Sequence, residues 1–181
     1  RSVEKITVAA SATAFTAQQY DHLPNDCILT TFYNGYMRYG LVSPLFREKQ
    51  IEFLVENISL KNKTLFDIGA FNGHFIDLAQ KKGFVVKGIE PSAEESANAR
   101  SKNLDVVEGF FNQSYVENNP EKYDVITILH VLEHMEKPLE FLELALKASK
   151  DGGYIYIEVP DTTKAFAENI ADFFSIQHLN H

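Results

Sequence analysis

The stretch Thr64–Phe75, which reads TLFDIGAFNGHF, contains the pattern that decides the fold. A short apolar run, interrupted by Asp67, leads to Gly69 and Gly73, and an amphipathic segment begins after them. This order is typical of a buried strand, a tight turn and the start of a helix. Glycines accept backbone angles that other residues resist, and they let a ligand approach the main chain closely. The stretch therefore predicts a binding turn at the carboxyl end of a strand.

The residues around this turn narrow the class of ligand. The dinucleotide fingerprint is G-x-G-x-x-G, whereas the spacing here is G-x-x-x-G, and Asp67 precedes the first glycine by two positions. A negative side chain is poorly placed to cradle a pyrophosphate, but it suits a ligand with a cationic amino group and no phosphate. The alternative is a strand, turn and helix without a ligand, since short glycine motifs are weak signals.

The motif D-I-G-A-F-N-G resembles the first motif of class I S-adenosylmethionine-dependent methyltransferases, whose pattern is roughly D-x-G-x-x-x-G. The resemblance covers about residues 61–181. It implies S-adenosylmethionine as cofactor, S-adenosylhomocysteine as product, and a methionine end held by Asp67 and the turn. The implied contacts in the turn are Gly69, Ala70, Phe71, Asn72 and Gly73.

An acidic residue closes the second predicted strand, which ends in Glu90-Pro91-Ser92. Glu90 lies about 20 residues beyond the glycine turn, where nucleotide-binding folds place an acid on the ribose hydroxyls. The resemblance implies the same role for Glu90, with Pro91 beside the cofactor. The alternative is a solvated side chain at the end of a strand.

The loop Gly109-Phe110-Phe111 follows the third predicted strand. In many methyltransferases this loop carries an acid that accepts the adenine amino group, and Phe110 stands where an aspartate is common. The resemblance still implies that these three residues line the adenine side of the site. Two interpretations stay open, because Phe110 can stack on the base or both phenylalanines can belong to the core.

The run His130–Met135, HVLEHM, follows the clearest strand of the chain. It resembles the H-x-L-E-H run after the fourth strand of methyltransferases, which implies cofactor or substrate contacts for His130 and Val131 and a general base at His134. A buried histidine bonded to the backbone is the alternative for His134. Two histidines four apart on a helix can also hold zinc, and some methyltransferases bind a divalent ion through E-x-x-E-H. Because an apolar strand leads directly into His130, we predict no metal site.

Strands and helices alternate along the chain. The predicted strands are Leu65–Ile68, Phe84–Ile89, Leu104–Val107, Tyr123–Leu129 and Tyr154–Val159, and the predicted helices start near Ser43-Pro44, Gly73, Ser92 and Pro138. This order predicts an α/β fold, namely a doubly wound Rossmann-like parallel sheet with helices on both faces.

The predicted sheet is short for the family that the chain resembles. That family's sheet has seven strands, whereas five can be counted here, so we expect residues 44–181 to form a C-terminally incomplete methyltransferase core that lacks the last strands. Residues 1–43, with an aromatic cluster at 32–39, are predicted to form a cap or lid. An uncovered apolar edge favours a homo-oligomer or a partner chain.

Composition excludes several partners and leaves the acceptor open. The net charge of −8 argues against nucleic acid and anionic membranes. A single cysteine, Cys27, precludes an intrachain disulfide and fits a cytoplasmic location, and no long apolar run or signal pattern is present. We therefore predict methyl transfer to the oxygen, nitrogen or carbon of a small molecule. The rivals are a nicotinamide-dependent oxidoreductase and a non-catalytic adenosyl-binding domain.

Overall fold

The computed structural model describes the backbone of residues 9–10, 28–33, 44–58 and 63–160, and the side chains of 47–58 and 63–159. Its strands are β1 (Ala9–Ala10), β2 (Ile28–Tyr33), β3 (Thr64–Ile68), β4 (Val85–Glu90), β5 (Val106–Glu108), β6 (Tyr123–Leu129) and β7 (Ser149–Pro160). Its helices are α1 (Pro44–Asn57), α2 (His74–Lys81), α3 (Ala93–Ser101), α4 (Gln113–Asn118) and α5 (Pro138–Ala148), with a 3-10 turn at Leu132–His134.

The strands form one parallel sheet in the order β1-β2-β7-β6-β3-β4-β5. From β3 the chain winds outward through β4 to β5, then crosses to β6 on the other side of β3 and continues to β7. The direction of winding therefore reverses between β3 and β6. In open α/β sheets the crevice outside the carboxyl ends of the strands at such a switch point is where ligands bind. The predicted doubly wound fold is confirmed.

Helices cover both faces of the sheet, as predicted, because successive apolar residues of each strand point to opposite faces and both faces must be buried. Leu65, Val125 and Tyr156 face the helices α1 and α2. Their neighbours Phe66, Ile126 and Ile155 face α5. Each face is a separate apolar cluster, and the sheet lies between the two.

Local signals set the helix ends at the predicted places. The Ser92 side chain accepts a hydrogen bond from the Glu95 N–H at 3.3 Å, and α3 begins at Ala93, directly after Ser92. Gly73, with φ of 78°, precedes α2, and α5 begins at Pro138. The strand β7 starts earlier than predicted, at Ser149, with a register irregularity opposite Tyr123 and Val125. The predicted turn at Gly152 falls within this irregular part.

The edge beside β7 differs from the expectation of an uncovered edge. Residues 28–33 pair in parallel with β7, from Ile28 opposite Ile155 to Tyr33 opposite Pro160. A strand from the predicted cap segment therefore occupies this edge, and it had no clear signal because its sequence lacks an apolar alternation. The remaining residues of 1–43, including Cys27, and residues 161–181 lie outside the described part. Within that part, no helix is both long and apolar enough to cross a membrane.

Candidate functional site

Four polar residues end up on one face of the sheet at its carboxyl edge. Asp67 of β3 lies opposite Thr127 of β6, and Glu158 of β7 lies opposite Leu129. Each is an even number of positions from a strand residue that faces α1 and α2, so their side chains point to that face. Glu90 on β4 follows the same rule, counted from Val86. The predicted cofactor acids Asp67 and Glu90 therefore share an edge and a face.

The turn between β3 and α2 has left-handed backbone at three positions. The φ angles are 81° at Gly69, 47° at Phe71 and 78° at Gly73. Gly69 is required by space as well as by φ, because a Cβ there would lie 2.4 Å from Cγ2 of Val131. The N–H groups of Gly69 and Ala70 both donate to the Ile89 carbonyl, at 2.9 and 3.1 Å. These bonds fix the turn against β4.

Glu90 joins the end of β4 to the glycine turn. Its Oε2 accepts a hydrogen bond from the Phe71 N–H at 2.8 Å, and its Oε1 accepts one from the Ser92 N–H at 2.9 Å. The residue is 7% exposed. Each carboxylate oxygen has a further lone pair, so the group can still accept from a ligand hydroxyl. Glu90 is thus held in place and remains able to bind the vicinal hydroxyls of a ribose.

Asp67 is a buried carboxylate that has one hydrogen-bond donor among the residues that the structure describes. Thr127 Oγ1 donates to its Oδ1 at 2.5 Å, and the residue is 2% exposed. Burial raises the pKa of Asp67 to about 7, although the Thr127 bond and the Arg47 charge oppose this rise. Near neutral pH the group therefore exists in both protonation states. A cationic group placed beside it would favour the carboxylate form.

The two phenylalanines of the predicted adenine loop differ in their exposure to solvent. Phe111 is 8% exposed and packs its ring on Phe66, Tyr115 and Phe141, which is the core alternative that the sequence left open. Phe110 is 71% exposed. Gly109 donates its N–H to the Glu90 carbonyl at 3.0 Å, so the loop lies directly beside the predicted ribose acid. Of the two rings, that of Phe110 is available to a ligand.

The turn Asn72–His74 and the loop after Glu90 complete this side of the site. The Asn72 side chain accepts a hydrogen bond from the His74 N–H at 3.2 Å, and the Asn72 backbone carbonyl accepts one from Lys102 Nζ at 2.7 Å. Pro91 is exposed and Ala70 is buried. The predicted residues 67–73, 90 and 109–110 are therefore contiguous in space, whereas the side chain of Phe111 lies beneath them.

A second group of charged residues lies at the ends of β6 and β7. Glu158 is fully buried, and its Oε1 lies 2.6 Å from His130 Nε2 and 3.2 Å from Arg47 Nη1. The Gln50 amide donates to its Oε2. Sequence reasoning missed Arg47, Gln50 and Glu158. The signal was a charged residue at an inward position of the apolar strand YIYIEV.

The predicted histidines occupy different positions. His130 directly follows β6 with φ of 55°, outside any helix, as its place after an apolar strand predicted. His134 is half-buried and closes the 3-10 turn by donating its N–H to the Val131 carbonyl at 3.0 Å. The Val131 side chain contacts the glycine turn at Gly69. Among the described side chains, no group of three or more His, Cys, Asp or Glu residues has an arrangement that could hold a metal ion.

Two carboxylates at the ends of adjacent strands, beside a glycine turn at the switch point, lie where ligands bind in a Rossmann-like fold. A family model described as a methyltransferase domain matches residues 34–180. The chain therefore belongs to the methyltransferase domain family, as the resemblance predicted.

Individual relatives agree with this assignment. The chain is 31% identical over 113 residues to the ubiquinone biosynthesis O-methyltransferase of Hydrogenovibrio crunogenus, a match that takes in 59% of this chain and 46% of the relative. The chain thus spans about half the length of the curated relatives it matches.

Solved structures with the same fold cover a larger share of the chain. A SAM-dependent methyltransferase from Archaeoglobus fulgidus superposes with a TM-score of 0.63 at 23% identity, covering 75% of this chain and 61% of that one. The plantazolicin methyltransferase BpumL in complex with SAH gives a TM-score of 0.57 at 20% identity, covering 74% and 54%. These likenesses support the fold.

Proposed function

We propose that the chain is the S-adenosylmethionine-binding part of a methyltransferase that acts on a small molecule. The observation that carries the proposal is the common placement of Asp67 and Glu90. Both carboxylates lie on one face of the carboxyl edge, and the turn between their strands is tied to Glu90 by the Phe71 N–H. These carboxylates can accept hydrogen bonds from a ligand that offers an ammonium group and hydroxyls.

The same pair of carboxylates argues against a nicotinamide dinucleotide. Two buried carboxylates border the turn, and the Arg47 guanidinium beside them is paired with Glu158. A pyrophosphate placed there would meet like charge in a region of low dielectric, which is unfavourable. The nicotinamide-dependent oxidoreductase is therefore the weaker candidate.

Each residue has a defined task in this proposal. Asp67 binds the amino group of the cofactor, and Glu90 accepts hydrogen bonds from the ribose hydroxyls. The exposed ring of Phe110 stacks on the adenine. When bound, the cofactor supplies a sulfonium methyl group that a nucleophile takes up in a single displacement. The chain contributes mainly orientation, because a positioned nucleophile and donor react far faster than free ones. His134 is the proposed base that accepts a proton from the acceptor.

The acceptor is proposed from the relatives. The curated relative named above is called an O-methyltransferase, so we infer a hydroxyl acceptor on a small molecule, for which a base such as His134 is useful. A partner chain or homo-oligomer and a cytoplasmic location stay predictions.

Isothermal titration calorimetry with the purified protein tests the cofactor. We expect S-adenosylhomocysteine to bind and NAD not to bind. Glu90→Gln should weaken binding by about 10- to 100-fold, because a hydrogen bond to a charged group contributes about 1.5–3 kcal/mol. Glu94→Gln, which alters an exposed acid in the first turn of α3, is the matched control and should bind as the wild type does. Binding of NAD alone would refute the proposal, as would full affinity in Glu90→Gln.

Methyl transfer tests the catalytic role separately. Formation of S-adenosylhomocysteine from S-adenosylmethionine is measured with a set of hydroxylated aromatic acceptors. His134→Ala should lower the rate while the affinity for S-adenosylhomocysteine stays at the wild-type value. A rate unchanged by His134→Ala would remove the base from the mechanism and leave the cofactor site intact.

A further inference from the structure

The buried charges at the ends of β6 and β7 point to a role for His130 other than the predicted ligand contact. Its Nδ1 lies 3.2 Å from Glu133 Oε1, and its Nε2 lies 2.6 Å from Glu158 Oε1. The side chains are 12% exposed for His130, 4% for Glu133 and 0% for Glu158. Both ring nitrogens therefore face carboxylate oxygens away from solvent.

A proton on each ring nitrogen suits this arrangement, because Nδ1 makes a hydrogen bond with Glu133 Oε1 and Nε2 lies at ion-pair distance from Glu158 Oε1, although its angles fall outside those of a hydrogen bond. A neutral imidazole has one N–H and one lone pair, so one carboxylate would face a lone pair at close range. Buried charges are also tolerated only in balanced groups. Arg47 and a charged His130 are the positive partners of Glu158 and Glu133, and among the described side chains a neutral His130 would leave Glu133 without a positive partner.

The backbone at His130 supports the same interpretation. Its φ of 55° is a left-handed conformation that costs a residue with a Cβ some free energy. The His130 N–H donates to the Glu158 carbonyl at 2.9 Å, so backbone and ring bind the same residue of β7. The ring contacts hold the chain in this conformation as it leaves β6.

The next residue connects this conformation to the cofactor turn. Cγ2 of Val131 occupies the space beside Gly69, where a Cβ would lie 2.4 Å away. The direction in which the chain leaves His130 sets the position of Val131. Loosening His130 would therefore loosen one wall of the turn between Gly69 and Gly73.

We infer that His130 is a positioning residue whose ring, protonated on both nitrogens, joins Glu133 to Glu158 and so holds Val131 against the glycine turn. The inference rests on the proposed function only for its effect on cofactor affinity. Among the described residues, the charged groups that face the ring are Glu133 from the 3-10 turn and Glu158 from β7, with Arg47 of α1 acting through Glu158.

The contacts that join Glu133 through the His130 ring to Glu158, called the tie below, depend on pH because they need a charged ring. Burial lowers the pKa of His130, but the Glu133 and Glu158 carboxylates outweigh it and raise the pKa to about 9. Because the pKa in the folded protein lies above the ordinary value near 6.5, the tie is complete below that value and is lost as the pH rises through about 9.

Nuclear magnetic resonance of the histidine side chains tests the inference without any ligand. We expect the spectrum of the wild-type protein at pH 7.5 to show the signals of a ring protonated on both nitrogens that are absent from the spectrum of His130→Asn. Asparagine tolerates positive φ, so this variant removes the ring and keeps the backbone conformation accessible. The backbone amide signals of Gly69 and Phe71 should shift in His130→Asn. They should stay in place in Lys137→Gln, which breaks the exposed Lys137–Glu140 pair nearby.

Calorimetry with S-adenosylhomocysteine provides the second readout. We expect about tenfold weaker binding in His130→Asn and in Glu158→Gln, and no additional loss when the two are combined, since each breaks the same tie. A wild-type His130 with a single ring proton at pH 7.5 would overturn the inference, as would unmoved signals at Gly69 and Phe71 in His130→Asn. Failure of the wild type to bind S-adenosylhomocysteine while both signatures are present would refute the proposed function and support the tie.

Discussion

The carboxylates at the two ends of the same sheet have pKa values shifted in opposite directions. At the amino end, Asp124 accepts from the Thr64 N–H at 2.9 Å, from Thr64 Oγ1 at 2.8 Å and from Lys150 Nζ at 2.8 Å. Although burial acts to raise the pKa of Asp124, these donors lower it to about 2. At the carboxyl end, Asp67 has the Thr127 hydroxyl as its hydrogen-bond donor, and burial raises its pKa to about 7.

The difference shows which end of the sheet has a carboxylate that can still bind a ligand. A satisfied carboxylate such as Asp124 stabilises the fold and has little left to offer a ligand. A desolvated carboxylate such as Asp67 costs stability when it ionises, and a cationic ligand relieves that cost. Left-handed backbone occurs at both ends, at Phe71 and His130 on the carboxyl side and at Gly152 on the amino side, so it does not distinguish them. Desolvation at the carboxyl end favours a binding role, and the predictions below test this contrast.

The largest expected effect is that of a methyl group at Gly69. Gly69→Ala combines the cost of φ at 81° with a Cβ 2.4 Å from Val131, so we expect a loss of about 3 kcal/mol in the free energy of unfolding. Gly152→Ala at the amino end has φ of 73° and no atom within 4 Å of its Cβ, so it should lose about 1 kcal/mol. Urea denaturation of both variants measures the difference, and equal losses would contradict the steric account.

The second effect removes the ion pair at the amino end. Asp124→Asn should lower the free energy of unfolding by about 1–2 kcal/mol at pH 7, because it breaks a charge-assisted pair that is only partly exposed. Since the pKa of Asp124 lies below its ordinary value of 3.8, this stabilisation is present above pH 4 and is lost towards pH 2. Affinity for S-adenosylhomocysteine should not change. A variant that loses affinity but not stability would reverse the assignment of the two ends.

A third effect is the pH dependence of cofactor binding through Asp67. Because the pKa of Asp67 is about 7, the carboxylate form grows about fivefold between pH 6 and pH 7, and affinity for S-adenosylhomocysteine should rise with it. Calorimetry across this range should give a flat profile for Asp67→Asn. Asp77→Asn, which alters an acid paired with Lys81 on α2, should keep the wild-type slope. The same slope in Asp67→Asn would remove Asp67 from the amino-group contact.

The smallest effect concerns the exposed ring of the adenine loop. Phe110→Ala should weaken S-adenosylhomocysteine binding about threefold, which corresponds to about 0.6 kcal/mol of stacking. Because Phe110 is 71% exposed, the free energy of unfolding should not change. Leu139→Ala, at a 45% exposed apolar residue of α5, is the control and should leave affinity unaltered. Wild-type affinity in Phe110→Ala would show that the ring does not contact the base.

Much of the site was predictable because its residues are neighbours in sequence. Asp67, the glycines and Phe71 belong to one turn, and Glu90 ends the next strand, so register alone brings them together. The helix α4 was not predicted, although Asn112 caps it by accepting from the Tyr115 N–H at 2.9 Å. It is six residues long, too short for a helical apolar repeat to stand out.

The sequence alone determined the alternation of strands and helices, the glycine turn and the acid at the end of β4, because each depends on backbone preferences and spacing within a few residues. Only the tertiary structure decided that Arg47, His130 and Glu158 meet, that Phe111 is core while Phe110 is exposed, and that residues 28–33 pair with β7. These outcomes join segments far apart in the chain, and their energies come from burial and charge balance, which exist only once the sheet and its helices have packed.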